Sequence, residues 1–161
     1  EPVPLFAEFA QYCKAHGIWM NIELNPARGF DREPGDTVAR ITRAMFADEI
    51  AQGGLARVPL LSSFSLAALE SARAAAPDLP RAFLMSELPP GWEPLARSVD
   101  AVAIHANHQH LTPALAKAVR DAGFGLFCYT VNDLARAREL LDWGVEAFCT
   151  DRIDLIGPNL A

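Results

Sequence analysis

At 161 residues, 51% of them hydrophobic, the chain is long enough for one globular domain, residues 1–161, with a core of its own. Its formal net charge of −6 argues against a nucleic-acid or polyanion surface, which needs clustered Lys and Arg. No apolar run approaches the roughly 18–20 residues needed to span a bilayer. In chain order, residues 5–15 carry Leu5, Phe6, Phe9 and Tyr12 or Cys13 at helical spacing, and His16-Gly17 stops that helix. Residues 18–25 alternate as a strand does, with Ile18, Met20, Ile22 and Leu24 on one face and Trp19, Asn21, Glu23 and Asn25 on the other. After a loop from Pro26 to about Gly35, residues 36–52 read as one helix with Asp36 or Thr37 as its N-cap. A strand over 58–64 precedes a helix over 65–77 that Ser65 can cap and Pro77 stops. A strand over 81–87 leads to a short helical connection, "PPGWEPLARSV", and a strand over 100–107. A helix over 112–123 starts with Pro and ends with Gly. Strand 125–132, helix 133–144 and strand 145–151 complete the alternation.

Six strands alternating with helices through short connections predict a mainly parallel sheet covered by helices. Buried parallel strands usually read as continuous apolar runs. Here their C-terminal ends are polar: Glu23 and Asn25, Ser62 and Ser63, His105 and Asn107, Thr130 and Asn132, Thr150 and Asp151. In a (β/α)8 barrel the active site lies at the C-terminal face of the strands. The pattern therefore predicts a TIM-type barrel with Asn21, Glu23 and Asn25 pointing into its mouth. A closed barrel needs eight strands, so roughly the first quarter to third of a typical ~250-residue barrel is expected to be missing. The alternative is an intact open sheet. Cys13, Cys128 and Cys149, an odd count without close spacing, predict reduced thiols rather than a disulfide framework or zinc knuckle.

The stretches "NIELNP", "LLSSF", "AIHANH", "YTVN" and "WGVEAFCTDRIDLIGPN" together resemble the bacterial glycerophosphodiester phosphodiesterases, most closely their cytosolic branch. The resemblance implies a TIM barrel that hydrolyses glycerophosphodiesters to an alcohol and sn-glycerol 3-phosphate with a divalent metal, Ca2+ or Mg2+. It implies a cytoplasmic location, and a small-molecule substrate with neither nucleic acid nor a membrane span. It places metal ligands in an early Glu-x-Asp strand and a later Glu, and two acid–base histidines in early His-Arg and His-Asp motifs. Glu23 matches the later metal-binding Glu. No His-Arg, Glu-x-Asp or His-Asp occurs in the 161 residues, so the catalytic histidines are expected outside this chain and the chain alone is expected to be inactive. The family usually has Lys two residues after the metal-binding Glu; here Asn25 stands there, offering only an amide to the phosphate.

The same resemblance places Asn25, Phe64, His105, Asn107, Tyr129 and Asn132 around the substrate, with Phe64 and Tyr129 as aromatic groups toward the glycerol. Each has a plainer role open to it. Phe64 and Tyr129 can be packing residues, while Asn132-Asp133 and Thr150-Asp151 can be helix caps. The run "HANHQH" (His105, His108, His110) taken alone suggests a transition-metal cluster, and otherwise one strand-end histidine with two loop histidines. Ser62 and Ser63 lack a nucleophile elbow. The alternative to the enzyme is a non-catalytic barrel portion acting as a binding or structural partner, and self-association is expected through the strand edges that two missing strands leave open.

Overall fold

The structure is a computed structural model that describes residues 3–157 and 160. Six strands form one parallel sheet in the order of the sequence: β1 Asn21–Glu23, β2 Leu60–Ser63, β3 Arg81–Met85, β4 Ala103–Asn107, β5 Gly125–Tyr129 and β6 Ala147–Phe148. Each strand pairs with the next in parallel, as Glu23 with Ser62, Leu84 with His105, Asn107 with Tyr129 and Phe127 with Ala147. Among the described residues seven α-helices accompany them: α1 Phe6–Ala15 before β1, and α2 Glu33–Met45, α3 Ala47–Ala51, α4 Leu66–Ala75, α5 Trp92–Ser98, α6 Pro113–Asp121 and α7 Leu134–Asp142 in the connections.

The strands are shorter than the alternation predicts: β3 and β5 stop early, β4 starts late, and β1, β2 and β6 are trimmed at both ends. At β1 the ladder still reaches one residue further at each end, through Leu60 N–H to Met20 O and Leu24 N–H to Ser62 O. The expected 36–52 helix differs more. It begins at Glu33 with Pro34 in its first turn, where a missing N–H costs nothing, so neither Asp36 nor Thr37 is the cap. It then breaks at Phe46, whose ring is buried against Ala10, Cys13 and Met20. Lys14 of α1 stabilises the break: its ammonium donates to the freed Met45 carbonyl at 2.5 Å, pairs with Glu49 at 3.0 Å and lies over the Phe46 ring. Three other caps follow the sequence, whereas among the described residues no helix starts after Thr150-Asp151. Ser65 accepts from Ala68 N–H, Thr112 from Leu115 N–H and Asp133 from Arg136 N–H.

The core lies between the sheet and its helices. Leu61, Phe83, Met85, Ile104, Ala106, Leu126 and Cys128 point outward against Leu69, Ala72, Val99, Ala116, Val119, Ala137 and Leu140. Burying a large apolar side chain such as Ile104 contributes about 1.5–3 kcal/mol relative to leaving it exposed. Period-two alternation then sends Asn21, Glu23, Leu60, Ser62, Leu84, His105, Phe127 and Tyr129 to the opposite face. That face is concave. Trp19 and Asn21 at the β1 side line the same cavity, of about 200 Å³, as Glu146 and Ala147 at the β6 side. Phe64 after β2 meets Tyr129 at the end of β5 across two intervening strands. The sheet is thus a curled half-barrel, an incomplete TIM-type α/β barrel, and not the flat open sheet that was the alternative.

Candidate active site

The C-terminal ends of the strands gather at the mouth of the concave face. Glu23 ends β1 with its side chain on the inner face beside Ser62, and it is exposed, as is Asn25 two residues later. Phe64 and Tyr129 converge there, ring centroids 5.9 Å apart and nearly perpendicular, the edge-to-face arrangement aromatic quadrupoles favour. The Tyr129 hydroxyl donates to Met85 O at 3.2 Å, which fixes the ring over the end of β3. Burial pushes the Tyr129 phenol above its ordinary range; the Ser86 hydroxyl works against that, and the Glu23 carboxylate adds to it. Ser86 was missed in the sequence, although it occupies the same strand-end position as the polar pairs noted elsewhere.

The remaining predicted residues divide. His105 is 2% exposed, its ring 4.5 Å from that of Phe127, and burial pushes its pKa down to about 4, so it is neutral near pH 7. Its Nδ1 has no hydrogen-bond partner among the described residues, and neither has the buried Ser62 hydroxyl on the same face. Asn107 stands one turn of the pleat above His105; its Oδ1 accepts from Gln109 N–H at 2.9 Å. Asn132 uses most of its amide on the end of β6. Its Oδ1 accepts from Thr150 Oγ1 and Asp151 N–H, and its Nδ2 donates to Asp151 Oδ2. The Ser63 hydroxyl donates to Leu24 O and accepts from Ser65 N–H, so it is tied to the backbone.

The three histidines do not gather. His105 is buried on the inner face, His108 packs against Arg136 of α7, and His110 reaches Glu87 at 3.5 Å across two loops. Among the described residues no three His, Cys, Asp or Glu side chains form a group that could hold a metal ion. Glu23 is a single carboxylate, whereas a hard cation such as Ca2+ takes six to eight oxygens.

Residues 1–155 match the glycerophosphoryl diester phosphodiesterase family. The chain belongs to that family. Its fold is shared by solved phosphodiesterases. One, from Oleispira antarctica, was solved with the product sn-glycerol-3-phosphate; it is 25% identical, with a TM-score of 0.71, and the match covers 92% of this chain and 57% of that one. A glycerophosphodiester phosphodiesterase from Agrobacterium tumefaciens is 22% identical at TM-score 0.64, with 95% of this chain and 60% of that one covered. Another, from Parabacteroides distasonis, is 20% identical at TM-score 0.64, with 90% and 57% covered. No curated protein matches by sequence. The chain thus spans 57% of the length of the Oleispira phosphodiesterase. Among the described residues no helix is long and apolar enough to cross a membrane.

Proposed function

We propose that this chain forms the larger part of a barrel that hydrolyses glycerophosphodiesters to an alcohol and sn-glycerol 3-phosphate. The observation that carries the reading is the Phe64–Tyr129 pair at the C-terminal mouth of a half-barrel of this family, on the inner face where Glu23 ends β1. The likeness to a phosphodiesterase solved with sn-glycerol-3-phosphate supports the substrate class. In this reading Phe64 and Tyr129 form an apolar wall for the glycerol carbons. The Asn25 and Asn107 amides donate to phosphate or hydroxyl oxygens. His105, neutral and buried, shapes the floor, and Asn132 joins the substrate rim while holding the end of β6.

Glu23 is proposed as one ligand of a divalent cation, Ca2+ or Mg2+, which when bound offsets phosphate charge. The residues described here do not amount to a complete metal site, so the isolated chain is expected neither to hold the metal nor to turn over substrate. The acid–base groups are likewise proposed to lie outside it. A cytoplasmic location belongs to the same reading, from the likeness to the cytosolic branch of the family. The lack of a three-ligand group also favours a second reading, a non-catalytic barrel portion that binds without reacting.

Glu23→Gln in the full-length natural protein separates the two. The enzyme reading expects metal-dependent hydrolysis of glycerophosphocholine to fall by about two orders of magnitude. Unchanged turnover and unchanged metal dependence would remove Glu23 from the ligand set. A full-length protein with no hydrolysis at any metal concentration would favour the binding role.

A further inference from the structure

Arg136 is one of several charged residues of α7, yet its side chain is only 21% exposed. It leaves the first turn of α7 and reaches the loop between β4 and α6. There Nη2 donates to the carbonyls of His108 and of Leu111, the latter at 3.4 Å, and Nε donates to His108 Nδ1 at 3.5 Å. The guanidinium lies 4.4 Å from the centre of the Trp143 ring, and Nη1 pairs with Glu139. A guanidinium is suited to this, because its donors are fixed in one plane and its face can rest on an aromatic ring.

The loop it holds is a tight turn built on Asn107. His110 N–H donates to Asn107 O, and Gln109 N–H donates to Asn107 Oδ1. An N–H can only donate, so Oδ1 must face Gln109 and the amide cannot flip. Nδ2 then projects on the other side and has no hydrogen-bond partner among the described residues, although Asn107 is half-buried at the mouth. On the other flank His108 N–H donates to Tyr129 O, so the same loop also abuts the end of β5.

We propose that Arg136 is a positioning residue for the mouth of the site: by pinning the His108 and Leu111 carbonyls it fixes the turn that presents Asn107 Nδ2 as a donor to a phosphate or glycerol oxygen. The inference rests on the proposed substrate class. Arg136 itself touches no substrate; it acts through Asn107.

The test is a double-mutant cycle in the full-length protein with sn-glycerol 3-phosphate as the probe, read by calorimetry, together with amide hydrogen exchange at Gln109. Arg136→Met and Asn107→Ala are each expected to weaken binding about tenfold, and the double variant to be no weaker than Asn107→Ala alone. Arg136→Lys, which keeps the charge but not the fork, should fall between, and serves in its own right should the Met variant fail to fold. Gln109 exchange should speed up in the Arg136 variants. Additive losses, or wild-type affinity with faster Gln109 exchange, would overturn the proposal, and unchanged exchange would show that Arg136 does not hold the turn. A protein that binds sn-glycerol 3-phosphate with this coupling but hydrolyses nothing would sink the enzyme reading and leave the positioning role standing.

Discussion

Arg81 opens β3 and is buried, 3% exposed, yet its nearest carboxylate, Asp100, is 4.0 Å away and itself well exposed. Its charge is spread instead over backbone carbonyls: Nε donates to Val99 O at 2.8 Å, and Nη1 to Leu79 O at 2.6 Å and Ala76 O at 3.2 Å. Val99 and Ala76 are the C-cap residues of α5 and α4, and Leu79 lies in the turn that follows α4. Arg81→Met keeps the bulk and removes the donors. It is expected to destabilise the fold by about 3 kcal/mol, because several buried acceptors lose their partner at once, as chemical denaturation would show. His105 makes the opposite kind of prediction. Burial lowers its pKa from 6.5 to about 4, so the unfolded chain binds the proton more readily than the folded one. Its contribution is complete above pH 6.5 and is lost as pH falls from there toward 4, by up to about 3 kcal/mol. His105→Gln should flatten that part of the stability-against-pH curve. An unaltered slope would mean that the imidazole is not desolvated as the fold implies.

At the scale of elements, the closest approach is between α2 and α4. Gly35 lies in the first turn of α2, and a Cβ there would fall 2.2 Å from Ala68 O, a backbone atom that cannot swing aside. Ala39 and Thr42 continue the same buried side of α2, and Ala68 and Ala72 that of α4. Gly35→Ala, ordinarily favourable inside a helix, is therefore expected to cost about 1–3 kcal/mol as the two helices are forced apart. A melting temperature at or above that of the parent would show that α2 shifts freely. The ends of β5 and β6 are joined in a different manner, by the side chain of Asn132 holding Thr150 and Asp151.

For the molecule as a whole, the decisive feature is that among the described residues β1 pairs only with β2 and β6 only with β5. Both outer edges carry backbone groups without a neighbouring strand, a template for pairing with another chain. Apolar side chains of α1 and of the approach to β1 are exposed as well: Leu5, Phe9, Tyr12, Ile18 and Trp19 are all about half exposed or more. The 161-residue chain is accordingly expected to self-associate and to show no phosphodiesterase activity. Light scattering alongside an assay on glycerophosphocholine checks both, and a monomer with metal-dependent turnover would refute both. Asn25→Lys, placed in the full-length protein, should tighten sn-glycerol 3-phosphate binding by adding a cation beside the phosphate; weaker binding would count against that position for Asn25.

The half-barrel was legible because two local signals recur along the chain. An apolar run ends in polar residues at each strand, and a helix ends at a glycine or proline before every strand but β4, where Asp100 takes the left-handed position. Strand alternation alone sends Glu23 to the concave face, since period two leaves a residue no third direction. The same logic put polar groups at the strand ends but could not say what each would touch. Asn132 is engaged by residues 18 and 19 positions away, Arg136 by carbonyls 25 and 28 positions away, and Tyr129 by a carbonyl 44 away. The break at Phe46 likewise depends on Lys14, 31 residues before the Met45 carbonyl it stabilises. Local patterning determined which residues line the mouth. Curling the sheet decided which of them keep a free donor there, because hydrogen bonds between distant segments consume some side chains and orient others.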